Sequence, residues 1–337
     1  MMIMKTIKYL VIGALMLGFN APAVAQDNKA TIEQVSKLIK SNGSADAIKD
    51  IFKANKKNPE VLLGMGRAYF EVKDTANAAK YANLALARDK KYAKAYILLG
   101  DIAVVQDDGG KAAEWYQQAK YFDPKDPEGY FKYANILRGR SPEEAVANLN
   151  DLRQQRPDIA VDALAARIYY SSNLLEKSIN CYDNVADKSK LEDVDITNYA
   201  TGAWMLQKRD KSLEMAKYGL TRNARKAAWS RLAFYSRTDM NQTEEALKYA
   251  EALFTASDSA KISGFDYTYY GTALKNAKQY DKAIEMFQNA AKENKDNKEQ
   301  LNIARKNLAD AYTAKEDYES AIKFYNEYLA NIEKPSA

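Results

Sequence analysis

Three observations predict an all-α repeat fold for this chain. A small residue recurs at intervals near 34, turn residues are scarce, and alanine, lysine, leucine and glutamate are abundant. Glycine is 14 and proline 7 of 337 residues, too little punctuation for a sandwich or barrel of many short strands. The composition also removes chemistry. There is no histidine and one cysteine, Cys181, so Ser-His-Asp and Cys-His sites, His-ligated zinc and an intramolecular disulfide are excluded. Carboxylate-only or Lys/Tyr chemistry stays formally open with 45 acids and 24 tyrosines. No catalytic, cofactor-binding or metal-ligating residue is assigned, and no cofactor is expected.

The first element is an address. Lys5 and Lys8 precede an apolar run from Tyr9 to Phe19, and Ala23-Val24-Ala25 satisfies the small-x-small rule before Gln26. A cleavable signal peptide over residues 1–25 is expected, cut after Ala25. The competing reading, an uncleaved anchor, is set against an apolar core of 11 residues where a span needs about 20. The mature chain is therefore expected to be soluble, in the periplasm or secreted. Without Lys5 and Lys8 the formal charge falls from +5 to +3, near neutral for this length. Near-neutrality and export both speak against a nucleic-acid partner, and no later stretch approaches a membrane span.

The repeat is read from phase markers, the small residues early in each second helix: Ala47, Ala78, Ala112, Ala145, Ser178, Ser212, Ala246, Ala283 and Ala321. Their spacings are 31, 34, 33, 33, 34, 34, 37 and 38. Pro59, Pro124 and Pro157 each fall twelve residues after a marker and close a unit where a helix cannot continue. Within a unit, Tyr96, Leu99, Gly100 and Ala103 share one helical face; Ala112, Tyr116 and Ala119 share another, and Gln106 to Gly110 breaks between them. Gly100 facing Ala112 brings the two backbones close, and Tyr116 fills the space toward the next unit. Such a pair buries its face only against neighbours, so stability is a sum of nearest-neighbour terms. Ser141-Pro142-Glu143-Glu144 reads as an N-cap with proline and acids in the first turn, and Asp210 and Asp281 open later second helices.

Tyr96, Leu99, Gly100, Ala112, Tyr116, Ala119 and Pro124, repeated over nearly the whole mature chain, resemble the tetratricopeptide repeat, a 34-residue helix-turn-helix. The clearest units run from Glu60 to Lys91, Tyr92 to Asp126 and Gly264 to Glu293. The resemblance implies a right-handed α-solenoid of about eight to nine units. Residues 26–59 would form a degenerate N-terminal helical pair, residues 60–333 the solenoid and residues 334–337 a tail. Ser178 and Ser212 depart from the usual alanine and Ala216 from the usual aromatic, which predicts looser packing there. The longer last intervals predict extra loop residues around Ser257 to Ser263 and Lys292 to Asn297.

In this family first helices line the concave surface, so the resemblance implies contact positions on first helices that packing does not use. They are Arg67 and Phe70; Asp101 and Val104; Phe131, Asn135 and Arg138; Arg167 and Tyr170; Thr201 and Trp204; Arg237; and Thr272 and Lys275. Aromatic anchors and arginines dominate recognition energetics, and a guanidinium grips carboxylates. An extended, partly acidic peptide is the expected ligand. Against each single residue stands the bland reading that any helical face in so charged and aromatic a chain carries some Arg and Tyr by chance. The C-terminal helix, with Tyr318, Phe324, Tyr325 and Tyr328, is a second candidate docking surface for a partner or a second copy.

Other motifs give little. Gly64-Met65-Gly66 lacks the strand-loop-helix context of a phosphate loop, and Asp107-Asp108-Gly109-Gly110-Lys111 reads as a turn. Asp74-Thr75-Ala76 and Asp258-Ser259-Ala260 resemble acceptor tripeptides of a bacterial periplasmic O-glycosylation system. The leading expectation is a non-enzymatic periplasmic scaffold that binds a peptide or envelope protein. A glycan-binding module using Trp204 and Tyr170 is the alternative, and an enzyme a distant third.

Overall fold

The structure is a computed structural model that describes residues 27–256 and 260–332. Within them it is α-helical, without a strand. The expected signal peptide and cleavage point, the C-terminal tail and most of the second glycosylation tripeptide lie outside the described residues. By contact the described residues divide into two compact units, one of residues 27–137 with Gln154–Arg156 and one of Arg138–Arg153 with the described residues from Pro157 on.

The first unit contains α1 (Asp27–Lys40), α2 (Ala45–Asn55), α3 (Pro59–Glu71), α4 (Thr75–Arg88), α5 (Ala93–Val105), α6 (Gly109–Phe122) and α7 (Pro127–Leu137). The second contains most of α8 (Pro142–Gln155), then α9 (Val161–Ser171), α10 (Leu175–Asp183), α11 (Asp193–Met205), α12 (Arg209–Arg222), α13 (Ala227–Asp239), α14 (Thr243–Glu251), α15 (Gly264–Asn276), α16 (Tyr280–Glu293), α17 (Lys298–Ala314) and α18 (Tyr318–Ile332). Among the described residues no helix is long and apolar enough to cross a membrane.

One turn builds nearly every hairpin. Asn42, Lys73, Asp107, Asn173, Gln207, Asn241, Lys278 and Glu316 adopt φ between 50° and 66°, each five residues before a phase marker. The next residue donates its N–H back to the preceding helix, Asp74 to the Tyr69 carbonyl and Gln279 to the Leu274 carbonyl, both at 2.9 Å. This left-handed closure satisfies carbonyls that the helix end leaves orphaned. No glycine serves it, although glycine meets the φ requirement most cheaply. The following helix then starts on a cap where the sequence offers one: the Asp74 carboxylate accepts from Asn77 N–H and that of Asp108 from Lys111 N–H.

Packing inside a hairpin depends on small residues on the first helix. A Cβ on Gly100 would stand 2.3 Å from the Tyr116 ring and one on Gly271 2.5 Å from the Phe287 ring. The ring lies directly on the glycine backbone, which gives close-packed contact over its whole face. The variant positions are filled rather than loose. Ser178 Oγ donates to the Ala166 carbonyl at 2.9 Å, and beside Ala216 the fully buried Trp229 covers Gly219, where a Cβ would meet the indole at 2.3 Å. Trp229 arrives from the next first helix and replaces the missing aromatic. Ser212 Oγ is buried without a hydrogen-bond partner.

The two long intervals have different causes. After α14 the chain makes a π-helical segment, Ala252–Ala256, and the surplus lies in the connection to Ser263. The later surplus is not a loop. It lengthens α17 to 17 residues where α15 has 13, about one helical turn, which brings the same face back to its neighbours.

Candidate functional site

Counting back from the left-handed turn residue sorts the contact candidates. Arg67 and Phe70, Asp101 and Val104, Arg167 and Tyr170, Thr201 and Trp204, and Thr272 and Lys275 stand six and three residues before it. Arg237 stands four before Asn241, the row of Tyr69, Ala203 and Leu274 that packs between helices. Its guanidinium is half-buried and bonded to the Gln242 side chain. Phe131 and Asn135 lie on α7, after which the chain has no left-handed residue before α8; Phe131 is half-buried, and Asn135 and Arg138 are exposed.

In the first unit Arg67 is exposed, whereas Phe70 packs against the core. Asp101 is internally engaged: it accepts from Tyr116 Oη at 2.8 Å and from Lys132 Nζ at 2.7 Å. Burial and that carboxylate push the Tyr116 phenol far up, so it remains a donor.

In the second unit Arg167 is a structural clamp. Its Nε and an Nη donate to Asp195 at 2.6 and 2.7 Å, and Asp195 is 1% exposed at the third residue of α11. The Asp195 carboxylate, with Glu192 beside it, raises the guanidinium pKa. Arg231 repeats the device with Asp266, which is fully buried at the third residue of α15 and accepts from Arg231 Nε at 2.6 Å, Tyr235 Oη at 2.7 Å and the Ser263 N–H at 2.8 Å. Each carboxylate joins two consecutive first helices and caps its own.

Between these helices α11, α13 and α15 form an open cleft of about 490 Å³. Leu232 and Tyr235 make its buried floor, with Thr201, Trp204, Phe265 and Lys261 around it. Trp204 is fixed in place. Its Nε1 donates to Asp239 at 3.1 Å, the Arg209 guanidinium lies 5.1 Å over its ring, and Tyr269 Oη also donates to Asp239, at 3.0 Å. Tyr235 stacks on Tyr269 at 4.2 Å, and Phe265 meets Trp204 edge-on at 6.1 Å. Phe265 nevertheless stays 38% exposed. Burial raises the Tyr235 phenol and, with Asp239, that of Tyr269, so neither is poised as a base. The exposed Lys261 at the rim gives the mouth a positive edge.

Of the sequence candidates, only Thr201 and Trp204 enter this cleft. Tyr170 packs beside Gly202, with the nearest ring carbon 3.6 Å from where a Cβ would stand, and Lys275 is half-buried outside it. The sequence candidates do not include Tyr235, Leu232, Phe265 and Lys261. Tyr235 has the same phase as Thr201, six before Asn241, and Phe265 lies thirteen before Lys278 as Val194 lies thirteen before Gln207. Lys261 carries no periodic signal.

On α18 the four aromatic candidates separate. Phe324 stacks on Tyr312 at 5.5 Å and Tyr325 Oη donates to Asp310 at 2.6 Å, both facing α17, and Tyr328 is half-buried. Tyr318 is exposed, as are Ile322, Leu329 and Ile332. Among the described residues no group of acids and Cys181 is arranged to hold a metal ion. The first tripeptide, Asp74-Thr75-Ala76, opens α4 with its aspartate engaged as the cap.

The tetratricopeptide repeat family model matches residues 63–127 and 271–337. A stretch of 69 residues is 42% identical to the RxLR effector protein SFI4 of Phytophthora infestans (strain T30-4), covering 19% of this chain and 20% of that protein, so the chain spans about a fifth of the length of that relative. Among solved structures, a tetratricopeptide repeat protein from Parabacteroides merdae ATCC 43184 is similar at 17% identity over 73% of this chain and 98% of that one, with a TM-score of 0.44. YrrB, described as a TPR protein with an unusual peptide-binding site, is similar at 15% identity over 55% of this chain and 97% of that one, with a TM-score of 0.43.

Proposed function

We propose that this chain, of which residues 63–127 and 271–337 match the tetratricopeptide repeat family model, is a non-enzymatic interaction scaffold. After export it holds a protein of the cell envelope through an extended, partly acidic segment, with an apolar side chain of that segment in the cleft among Trp204, Leu232 and Phe265. The observation that carries this reading is Phe265. It is an exposed ring at the mouth of a cleft whose floor is already buried and whose tryptophan is already fixed by Asp239 and Arg209. A site built before its ligand arrives loses little conformational entropy on binding. Arg231 is neutralised by Asp266, so the exposed Lys261 sets the preference for an acid.

The test is capture of partners by the mature chain from its native envelope with mild crosslinking and mass spectrometry. It is run beside a Phe265→Ser/Lys261→Glu variant, two exposed positions whose change leaves the buried clamps intact. Loss of one specific protein in the variant supports the reading; equal recovery by both proteins overturns the assignment to this cleft. The glycan alternative gains no specific support, because Trp204 has Arg209 over its ring and Tyr170 is packed beside Gly202.

A second surface, on α18, favours docking of a partner or a second copy. Ile322 stands where the preceding hairpin has Ile284, which is buried, and Tyr318, Ile322, Leu329 and Ile332 form an exposed stripe at helical spacing. Analytical ultracentrifugation of the chain against Ile322→Glu tests self-association. A strict monomer at high micromolar concentration counts against it.

A further inference from the structure

The first unit contains a second cleft, of about 640 Å³, between α2 on one side and the end of α3 with the start of α4 on the other. Helix α2 buries none of its residues, yet it carries Ile48, Ile51 and Phe52 toward its neighbours. Phe52 meets Tyr81 edge-on at 5.7 Å, and Tyr81 stacks on Tyr69 at 5.5 Å, so three rings edge the cleft.

Phe52 is out of pattern. It stands five residues after its phase marker, a position that is polar after all eight later markers, from Asn83 to Asn326. Packing between hairpins therefore does not call for a ring there. The rim is equally one-sided. Lys49, Lys53 and Lys80 line it, all exposed, and the one carboxylate in the lining, Asp74, is engaged by the N–H and Nδ2 of Asn77. Lys53 leans on Asp50 at 3.3 Å along the helix surface, and Lys80 lies 5.6 Å over the Tyr81 ring.

We propose that this cleft docks an acidic polypeptide segment, which inserts one aromatic or aliphatic side chain beside Ile48 and Phe52 and sets its carboxylates against Lys49 and Lys80. The apolar walls supply burial, and the lysine rim supplies the sign of the partner and speeds its approach. From Ala45 to Lys53 the wall is about 12 Å long at 1.5 Å per residue, room for about four extended residues or two helical turns. The site is separate from the cleft among Trp204, Leu232 and Phe265 and stands or falls without it.

The experiment uses the mature chain and a set of fluorescein-labelled twelve-residue peptides, each with one Phe, Trp or Leu among Glu and Asp. Two controls accompany each peptide, one with every acid changed to Lys and one with the anchor changed to Ser, and binding is read by anisotropy. The expected result is at least tenfold tighter binding of the acidic anchored peptides than of both controls, weakening as salt rises. Lys49→Glu/Lys80→Glu, two surface changes, should remove the preference. Because the other cleft is read above as taking acidic segments too, the variants are compared in the Phe265→Ser/Lys261→Glu background, where Phe52→Ser should cost at least tenfold with helix content unchanged by circular dichroism. Equal binding of the lysine controls, no binding above the serine controls, or binding that survives the double lysine reversal overturns the proposal. Binding to the wild-type chain that is abolished in the Phe265→Ser/Lys261→Glu background assigns the peptides to the other cleft and also overturns it.

Discussion

Asp266→Ala is the most informative single change in the second unit. The wild-type carboxylate is fully buried and receives the Arg231 guanidinium at 2.6 and 3.1 Å, the Tyr235 hydroxyl at 2.7 Å, and the N–H and hydroxyl of Ser263 at 2.8 and 2.9 Å. Removing it leaves a largely buried cation and a buried phenol without that partner, and strips α15 of its capping box. Breaking a buried pair from one side costs about 3–5 kcal/mol, most of it the penalty on the stranded charge. A repeat array unfolds locally, so the loss is read best by hydrogen exchange. Amides of α13 and α15 should lose protection by roughly two to three and a half orders of magnitude at about 1.4 kcal/mol per decade, while those of α4 to α6 keep theirs. Arg231→Met/Asp266→Leu, which removes both charges, should recover much of the loss. Protection in Asp266→Ala within threefold of wild type would show that the carboxylate does not join α13 to α15, and the reasoning about both clamps would fail.

Gly219→Ala places a methyl 2.3 Å from the Trp229 indole, which is fully buried and has nowhere to move; a loss of about 1–3 kcal/mol is expected in urea melts, and an unchanged midpoint would refute the close approach. Lys278→Gly relieves a φ of 61° and should stabilise by about 0.5–1 kcal/mol, the left-handed penalty less glycine's entropy cost; a lower melting temperature would contradict it. Burial pushes the Asp266 carboxyl up, but hydrogen bonds from Arg231, Tyr235 and Ser263 outweigh it and hold the group below its ordinary value. A depressed carboxylate contributes stability above its unfolded pKa, about 4, and loses it as pH falls through the folded one. Wild type should therefore lose more melting temperature than Asp266→Asn on going from about pH 5 to about pH 2.5, and parallel curves would argue otherwise. Trp204→Ala should weaken capture of a cleft-bound partner at least about tenfold, the scale of an aromatic hot spot; unchanged capture would remove the ring from the site.

How far the sequence reached differs between fold and site. The markers from Ala47 to Ala321 placed the hairpins, because each small residue is needed wherever two backbones approach, and that need repeats with the unit. The turn closure was partly hidden. Its residues share a φ but not a side chain, running from Asn42 through Lys73 to Glu316. Arg167 and Asp101 illustrate the limit for the site. Both have the first-helix phase of contact residues, and what spends them is Asp195 in one case and Tyr116 with Lys132 in the other. Those partners lie 15 to 31 residues away and have no fixed spacing.

The sequence alone determined the helical repeat, its period and the residue types that make close approach possible, since these follow from local propensity and from one packing rule applied over and over. Which first-helix side chains face outward with something left to offer was decided only by the tertiary structure. Phe265 stays open because Tyr235 and Trp204 beside it are already satisfied by Asp266 and Asp239, whereas Arg231 is closed off by the same carboxylate. Availability for binding is what remains after internal hydrogen bonds and burial are satisfied, and that remainder depends on neighbours in space rather than in sequence.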